Sequence, residues 1–177
     1  KRYRFPDICI VGGGPAGLSA AYQLRKMGYA STIFEERKEL GGMMRYGIPG
    51  YRTPRDLLDK EIERIINLGD IEIVLGKRVG KDVKLEDVEK SHDAVLWTIG
   101  CWNGKAIPVD GGDATNCITG VDFLEAFCDG RLKVGSKKVI CVGGGDTSID
   151  VVSVARRLGH ISKMNEQDTP ENIVHGY

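Results

Sequence analysis

The stretch ICIVGGGPAGLSAAYQL, Ile8–Leu24, predicts a short buried strand, a tight glycine turn and the first turns of a helix. Its glycines follow the spacing Gly12-x-Gly14-x-x-Gly17. The first glycine permits the turn, the second lets the backbone approach a diphosphate, and the third lets helix and strand pack closely. The free amides and the dipole at the helix start favour bound phosphate. The stretch therefore predicts a dinucleotide-binding turn.

The residues that follow complete a βαβ unit. Ser31–Glu35 (STIFE) is predicted to be the second strand, and Glu35 ends it 18 residues past Gly17 (35 − 17). A carboxylate at this place can accept hydrogen bonds from both ribose hydroxyls of an adenosine. Together with the strand, the helix and the acid, the glycine spacing is far more specific evidence for a dinucleotide site than it is alone. A βαβ unit with a merely tight turn is the alternative.

A second stretch, VICVGGGDTSIDVV (Val139–Val152), repeats the strand–glycine–helix plan. Its spacing is Gly143-x-Gly145-x-x-Ser148, and serine is small enough to keep helix and strand close. Asp146 can cap amides at the helix start, so we expect it to bond ribose or backbone instead of a phosphate. Two different turns in one chain predict two different dinucleotides, one resident and one exchanging. A turn without a ligand is the alternative.

The composition excludes several classes of function. Lys+Arg and Asp+Glu are both 25, so no basic excess favours nucleic acid or an anionic membrane surface. Hydrophobic residues make up 41%, enough for a packed core, and the apolar runs fall short of the roughly 20 residues of a membrane span. We expect a cytoplasmic protein with reduced cysteines, because no CxxC spacing occurs. The scattered histidines predict no metal site.

Helices and strands are predicted to alternate between the two glycine turns. The loop GGMMRYGIP at residues 41–49 is expected to form an apolar lid beside the nucleotide, with an ordinary surface loop as the alternative. Two longer helices are expected, one over Pro15–Lys26 and one that starts at Thr53 and Pro54 and ends at Leu68 and Gly69. Two short strands broken at Gly76 and a buried strand over Asp93–Gly100 are also expected. The remaining elements are a short polar helix over residues 84–91 and a small helix over residues 120–130.

Three segments in this order carry a family resemblance: VGGGPAGLSAA, FEERKELGGMMRYGIPGYR and VICVGGGDTSIDVVSVARRLG. They resemble the flavoprotein family of the glutamate synthase small subunit. That family includes the flavin/nicotinamide half of dihydropyrimidine dehydrogenase and the large subunit of the NADH-dependent ferredoxin:NADP oxidoreductase. The resemblance covers Asp7–Gly159. It implies an α/β fold, with a Rossmann-like FAD-binding domain at residues 1–115 and an incomplete second Rossmann-like NAD(P)-binding unit at residues 116–177.

The resemblance also implies the chemistry. It implies a flavoprotein oxidoreductase that passes hydride between NADH or NADPH and FAD, with electrons relayed to or from iron–sulfur clusters of a partner domain or subunit. The cofactors would perform the reaction, so no catalytic side chain is expected. The alternative is a non-catalytic FAD-binding electron-transfer or assembly module of a larger redox complex.

Matching motif positions imply the binding residues. Those implied for FAD are Gly12, Gly14, Pro15, Ala16, Gly17, Glu35, Glu36, Gly42, Met43, Tyr46, Arg52, Val79, Thr98 and Gly100. Those implied for the nicotinamide nucleotide are Gly144, Gly145, Asp146 and Thr147.

Neighbouring classes fit less well. A thiol–disulfide reductase needs a pair of redox cysteines near the flavin, and neither CxxC nor CxxxxC occurs. A flavin monooxygenase would use only the first turn as a full binding unit. The family's later segment along the flavin chain and its cluster-binding cysteines are missing from these residues. We therefore expect the chain to be part of a longer one, and an intact mass equal to that of these 177 residues would count against this.

Overall fold

The computed structural model describes residues 7–105, 107–133 and 138–161 of the chain. The chain forms two compact units. The first unit comprises Lys1–Met44 and Asp56–Gly100, and the second comprises Arg45–Arg55 and Cys101–Tyr177. These units divide at Gly100, whereas the domain boundary expected from sequence lies at residue 115. That boundary concerns which residues bind which nucleotide, and it stays a prediction.

The first unit is built on a four-stranded parallel sheet. Its strands are β1 (Asp7–Val11), β2 (Ala30–Glu35), β3 (Ile71–Leu75) and β4 (Ala94–Trp97). They lie in the order β3-β2-β1-β4, so β1 is central and the chain changes direction across the sheet beside it. The α/β fold with a parallel sheet is confirmed.

Six helices are described. They are α1 (Pro15–Lys26), α2 (Met43–Tyr46), α3 (Arg55–Ile66), α4 (Leu85–Ser91), α5 (Gly120–Cys128) and α6 (Asp146–Ile161). The predicted bounds of α1 are confirmed, with proline at its first turn, where a missing amide costs nothing. The short α2 lies in the loop for which sequence predicted a lid and no helix.

The core of the first unit lies between the sheet and the helices α1 and α3. Ile10 of β1 and Ile33 of β2 are opposite each other in the sheet register, and both are fully buried. The residues packed around them are Leu18, Ala21, Leu40, Leu58, Ile62, Ile65 and Ile71. Leu58, Ile62 and Ile65 of α3 recur at helical spacing, so this helix packs one apolar face against the sheet.

The second unit is held by contacts between α5 and α6. Phe123, Leu124 and Phe127 of α5 pack against Val151 and Val154 of α6, and all five side chains are buried. Thr119 caps α5, since its side-chain oxygen accepts a hydrogen bond from the amide of Asp122 at 3.2 Å.

The strand predicted before the second glycine turn is not formed, and that prediction is wrong. Residues 138–142 have no strand pairing, and Ile140 is 89% exposed. A strand is stable only when a neighbour takes up its amide and carbonyl groups. All described strands belong to the sheet of the first unit, so none in the described part of the second unit can pair with these residues.

Two further expectations about strands need correction. Only β3 forms around Gly76, and the predicted second strand is reduced to an isolated bridge between Val79 and Val83. The strand expected over Asp93–Gly100 is shorter, and Trp97 is half exposed, not buried. The position of β4 at the end of the sheet order explains this exposure, because an edge strand has a neighbour on one side only.

Candidate functional site

The first glycine turn is so crowded that only glycine fits at two positions. Gly12 has φ +110°, and a Cβ added there would lie 2.5 Å from the carbonyl oxygen of Thr98. A Cβ added at Gly17 would overlap the carbonyl oxygen of Gly12. These contacts account physically for the glycine spacing that the sequence shows, because strand and helix approach each other through bare backbone.

Gly41 and Gly42, which begin the predicted lid loop, lie against the start of α1. The amide of Gly41 donates to the carbonyl oxygen of Gly13 at 2.9 Å. A Cβ added at Gly42 would lie 2.6 Å from the Cα of Gly14. The two loops thus meet backbone to backbone beside the first turn of the helix, and the place of this loop beside a nucleotide stays a prediction.

Glu35 holds the turn from the end of β2. Its carboxylate is buried, and one oxygen accepts the amide of Gly13 at 2.7 Å while the other accepts the amide of Arg37 at 2.9 Å. A carboxylate has about four lone-pair sites, so each oxygen keeps one for a further donor. Glu35 is therefore held in one orientation and can still accept a pair of hydroxyl groups. Sequence predicted the second role and missed the first.

Thr98 directly follows β4 and bonds to the first glycine turn from the side of β1 opposite to β2. Its hydroxyl donates to the carbonyl oxygens of Val11, at 3.0 Å, and Gly12, at 2.8 Å. Its amide also donates to Val11, at 2.8 Å. Because β2 and β4 flank β1, the carboxyl ends of three strands gather these groups where the chain changes direction across the sheet. Ligands of open α/β sheets bind at such points.

The start of α1 fits a diphosphate. Gly14 is the N-cap and offers no side-chain cap, and the first turn carries no acidic residue. Pro15 has no amide, so the amides of Ala16 and Gly17 remain to meet an anion, with the helix dipole favouring negative charge. The bare glycine backbone leaves room that any Cβ would fill. The residues present therefore fit a dinucleotide.

The other residues implied for FAD fall in both units. Glu36 forms an ion pair with Arg78 at 3.5 Å, Val79 lies in the isolated bridge, and Gly100 ends the first unit. Met43 begins α2 in the first unit, whereas Tyr46 and Arg52 belong to the second unit.

The second glycine turn, at residues 143–145, is open. Gly143 has φ +132°, and a Cβ added there would lie 2.6 Å from the hydroxyl oxygen of Ser148. A Cβ added at Gly144 or Gly145 would meet nothing within 4 Å. Asp146 and Thr147 begin α6, as sequence predicted, and both are exposed. The four residues implied for the nicotinamide nucleotide are thus accessible at a helix start.

An ion pair that sequence did not reveal lies beside this helix start. Nη1 of Arg52 donates to both carboxylate oxygens of Asp150, at 2.7 and 2.8 Å. The Asp150 side chain is only 6% exposed, and that of Arg52 is 46% exposed. The hydrogen bond and charge of Asp150 raise the pKa of Arg52 above its ordinary value. The pair joins residues 98 positions apart, and no local pattern marks such a contact.

The described cysteines form no disulfide. Cys9 is buried in β1, and burial raises its pKa to about 11. Burial is also the main reason why the pKa of Cys128 is raised to about 11. Cys101 and Cys117 are exposed, and Cys141 is half-buried. A raised pKa keeps a thiol protonated and poorly nucleophilic at neutral pH.

Two further features are absent from the residues that the structure describes. No group of three or more His, Cys, Asp or Glu side chains in this part of the chain is arranged to hold a metal ion. None of its helices combines the length and the apolar character that crossing a bilayer requires.

The chain is similar to known oxidoreductases over most of its length. The family model described as pyridine nucleotide-disulphide oxidoreductase matches residues 6–171. The NADPH-Fe(3+) oxidoreductase subunit beta of Geobacter sulfurreducens is 43% identical over 164 residues, which are 90% of this chain and 24% of that protein. The NAD-dependent dihydropyrimidine dehydrogenase subunit PreT of Salmonella typhimurium is 37% identical over 154 residues, which are 86% of this chain and 37% of that protein.

The structural comparison supports the fold. FprA from Mycobacterium tuberculosis, solved in complex with NADPH, superposes with a TM-score of 0.66 at 23% identity, covering 71% of this chain and 29% of FprA. Glutamate synthase small chains are also among the matched proteins, so the resemblance read from the sequence motifs is confirmed. The chain spans well under half the length of the curated relatives described.

Proposed function

Because the chain belongs to the pyridine nucleotide-disulphide oxidoreductase family, whose members bind FAD and NAD(P)H, we propose that it forms the flavin and nicotinamide part of an NAD(P)H-dependent oxidoreductase. In this proposal residues 1–115 bind FAD and residues 116–177 bind NADH or NADPH. The observation that carries the proposal is the first glycine turn, where backbone contacts exclude a Cβ at Gly12 and Gly17 and the helix start has no side-chain cap.

The FAD site is built from residues with separate tasks. The amides of Ala16 and Gly17 receive the diphosphate, and the carboxylate of Glu35, fixed by the amide of Gly13, accepts the ribose hydroxyls. Gly42 keeps the lid loop close to the start of α1. The remaining contacts are proposed from the family resemblance: Gly12, Gly14, Pro15, Glu36, Met43, Tyr46, Val79, Thr98 and Gly100.

The nicotinamide site is the second glycine turn. Gly144 and Gly145 have no side chains, and open space surrounds them, so a diphosphate can approach the start of α6. Asp146 begins that helix with its carboxylate exposed, where it is suited to a ribose hydroxyl. Thr147 adds a hydroxyl at the same helix start.

The cofactors supply the redox chemistry, since the flavin exchanges hydride with the nicotinamide and passes electrons on. The chain's part is to bind and orient both groups and to hold their charges. We propose that the electrons pass to or from iron–sulfur clusters of a partner domain or subunit in the cytoplasm. Support comes from the relatives that are named as subunits of oxidoreductases.

A thiol–disulfide reaction is not part of the proposal, although the family's name includes it. The buried Cys9 and the half-buried Cys128 have pKa values raised to about 11, which disfavours the thiolate that such a reaction requires.

The proposal is tested with the complete polypeptide and FAD. The purified protein is expected to show the visible absorption of bound flavin, which should bleach on anaerobic mixing with NADH or NADPH. Protein that binds FAD and is not bleached by either nucleotide would support a non-catalytic electron-transfer or assembly module. The open stretch before the second turn, where residues 138–142 form no strand, is the observation that favours this second candidate.

A further inference from the structure

The segment Arg45–Arg55 belongs to the second unit, although the residues before and after it belong to the first. Two contacts hold this segment on α6. Nη1 of Arg52 bonds both carboxylate oxygens of Asp150, and the guanidinium of Arg157 lies 3.9 Å from the centre of the Tyr51 ring. The Arg52 guanidinium is thereby fixed beside the start of α6.

The start of α6 carries two acidic residues on one face. Asp146 and Asp150 are four residues apart, so their side chains lie on the same side of the helix. Two carboxylates oppose the favourable potential that the dipole and amides give this helix start. The hydrogen bond and charge of Asp150 are the main reasons why the pKa of Arg52 is raised, and the charge of Asp146 raises it further. Arg52 is thus bonded to Asp150 and is also attracted by the charge of Asp146.

We propose that Arg52 is a positioning residue for the nicotinamide nucleotide, which neutralises the acidic face of α6 so that an anionic diphosphate can approach the second glycine turn. This inference rests on the proposed function of that turn. It differs from the role that the family resemblance implies, in which Arg52 contacts FAD. Its charge acts through Asp150 and Asp146, so it need not touch the nucleotide.

The test compares Arg52→Gln with Arg52→Lys in the complete protein. The oxidised nucleotides NADP+ and NAD+, which cannot reduce the flavin, are titrated by calorimetry at low and high salt, and flavin content is read from the visible absorption. We expect Arg52→Gln to raise the nucleotide Kd roughly three- to tenfold at low salt and less at high salt, since a single nearby charge is screened by ions. Arg52→Lys keeps the charge and should stay within about twofold of wild type. Flavin content should not change.

Arg131→Gln is the matched control. Arg131 lies in the same unit and pairs with Asp129 at 2.9 Å and with Glu125 at 3.8 Å, away from α6 in the sequence. Its loss removes one positive charge from the unit and is expected to leave the nucleotide Kd within about twofold of wild type.

Arg52→Gln leaves a buried carboxylate without its partner and can therefore unfold the second unit. The double variant Arg52→Gln with Asp150→Asn removes both charges, and its Kd should return to within about twofold of wild type. A double variant as weak as the single one, an unchanged Kd in folded Arg52→Gln, or loss of flavin from that variant would each overturn the inference. If wild-type protein with FAD bound takes up neither nucleotide, the proposed function of the second turn fails, and the inference fails with it.

Discussion

The two glycine turns share a sequence plan and differ in their surroundings. In the first turn β1 lies between two neighbouring strands, and Cys9 is fully buried. In the second turn the equivalent position, three residues before the first glycine, is Ile140, which is 89% exposed. A Cβ added at Gly12 would meet backbone atoms of Thr98, whereas a Cβ added at the equivalent Gly143 would meet the side chain of Ser148.

This difference shows what a glycine motif does by itself. The motif sets the local turn and the helix start in both places, because α1 and α6 begin where their glycines predict. It does not provide the strand, since a strand requires partners from other parts of the chain. In the first turn backbone contacts require glycine at Gly12 and Gly17, whereas in the second turn Gly143 requires it through its positive φ and Gly144 and Gly145 are uncrowded.

An exchange of the third residue of each motif should give the largest contrast. Gly17→Ser forces a side chain into the carbonyl of Gly12, and we expect it to lower the free energy of unfolding by about 2–4 kcal/mol and to abolish FAD binding. The reverse change, Ser148→Gly, should cost only about 0.5 kcal/mol, because glycine is a slightly poorer helix former. Urea unfolding of both variants checks this, and equal losses would remove the contrast.

Glu35→Gln should have the next largest effect. One of the two buried oxygens becomes an amide nitrogen that faces a backbone N–H, either that of Gly13 or that of Arg37. We expect a loss of about 1–2 kcal/mol of stability, together with weaker FAD binding. Thermal unfolding and flavin titration measure the two effects. Stability and affinity equal to wild type would show that the carboxylate does not brace the turn.

Thr98→Val tests the support from the strand end. The change removes the hydroxyl that donates to the carbonyl oxygens of Val11 and Gly12, and should cost about 1 kcal/mol. Thr98→Ser keeps the hydroxyl and is the control, expected to lose less. Urea unfolding distinguishes the variants, and a serine variant as unstable as the valine variant would speak against the hydrogen bonds.

Gly145→Ala should have the smallest effect on stability. Nothing lies within 4 Å of the added Cβ, so the free energy of unfolding should change by less than about 0.5 kcal/mol. A loss above about 1 kcal/mol would mean that the second turn is as crowded as the first.

Sequence predicted the features that depend on neighbouring residues. The bounds of α1, the first βαβ unit and the start of α6 follow from turn chemistry and helical periodicity. The strand before the second turn was wrong because pairing depends on distant residues. The contact of Arg52 with Asp150 was missed for the same reason, since 98 positions separate the pair.

In the proposed FAD site, the backbone amides of the first glycine turn bind the diphosphate. Reconstitution of the complete polypeptide with FAD, followed by visible absorption of the washed protein, tests it most directly beside the Gly17→Ser variant. The wild type should retain flavin in proportion to protein, and the variant should emerge colourless. Wild-type protein that retains no flavin, or a variant that retains as much, would contradict the claim.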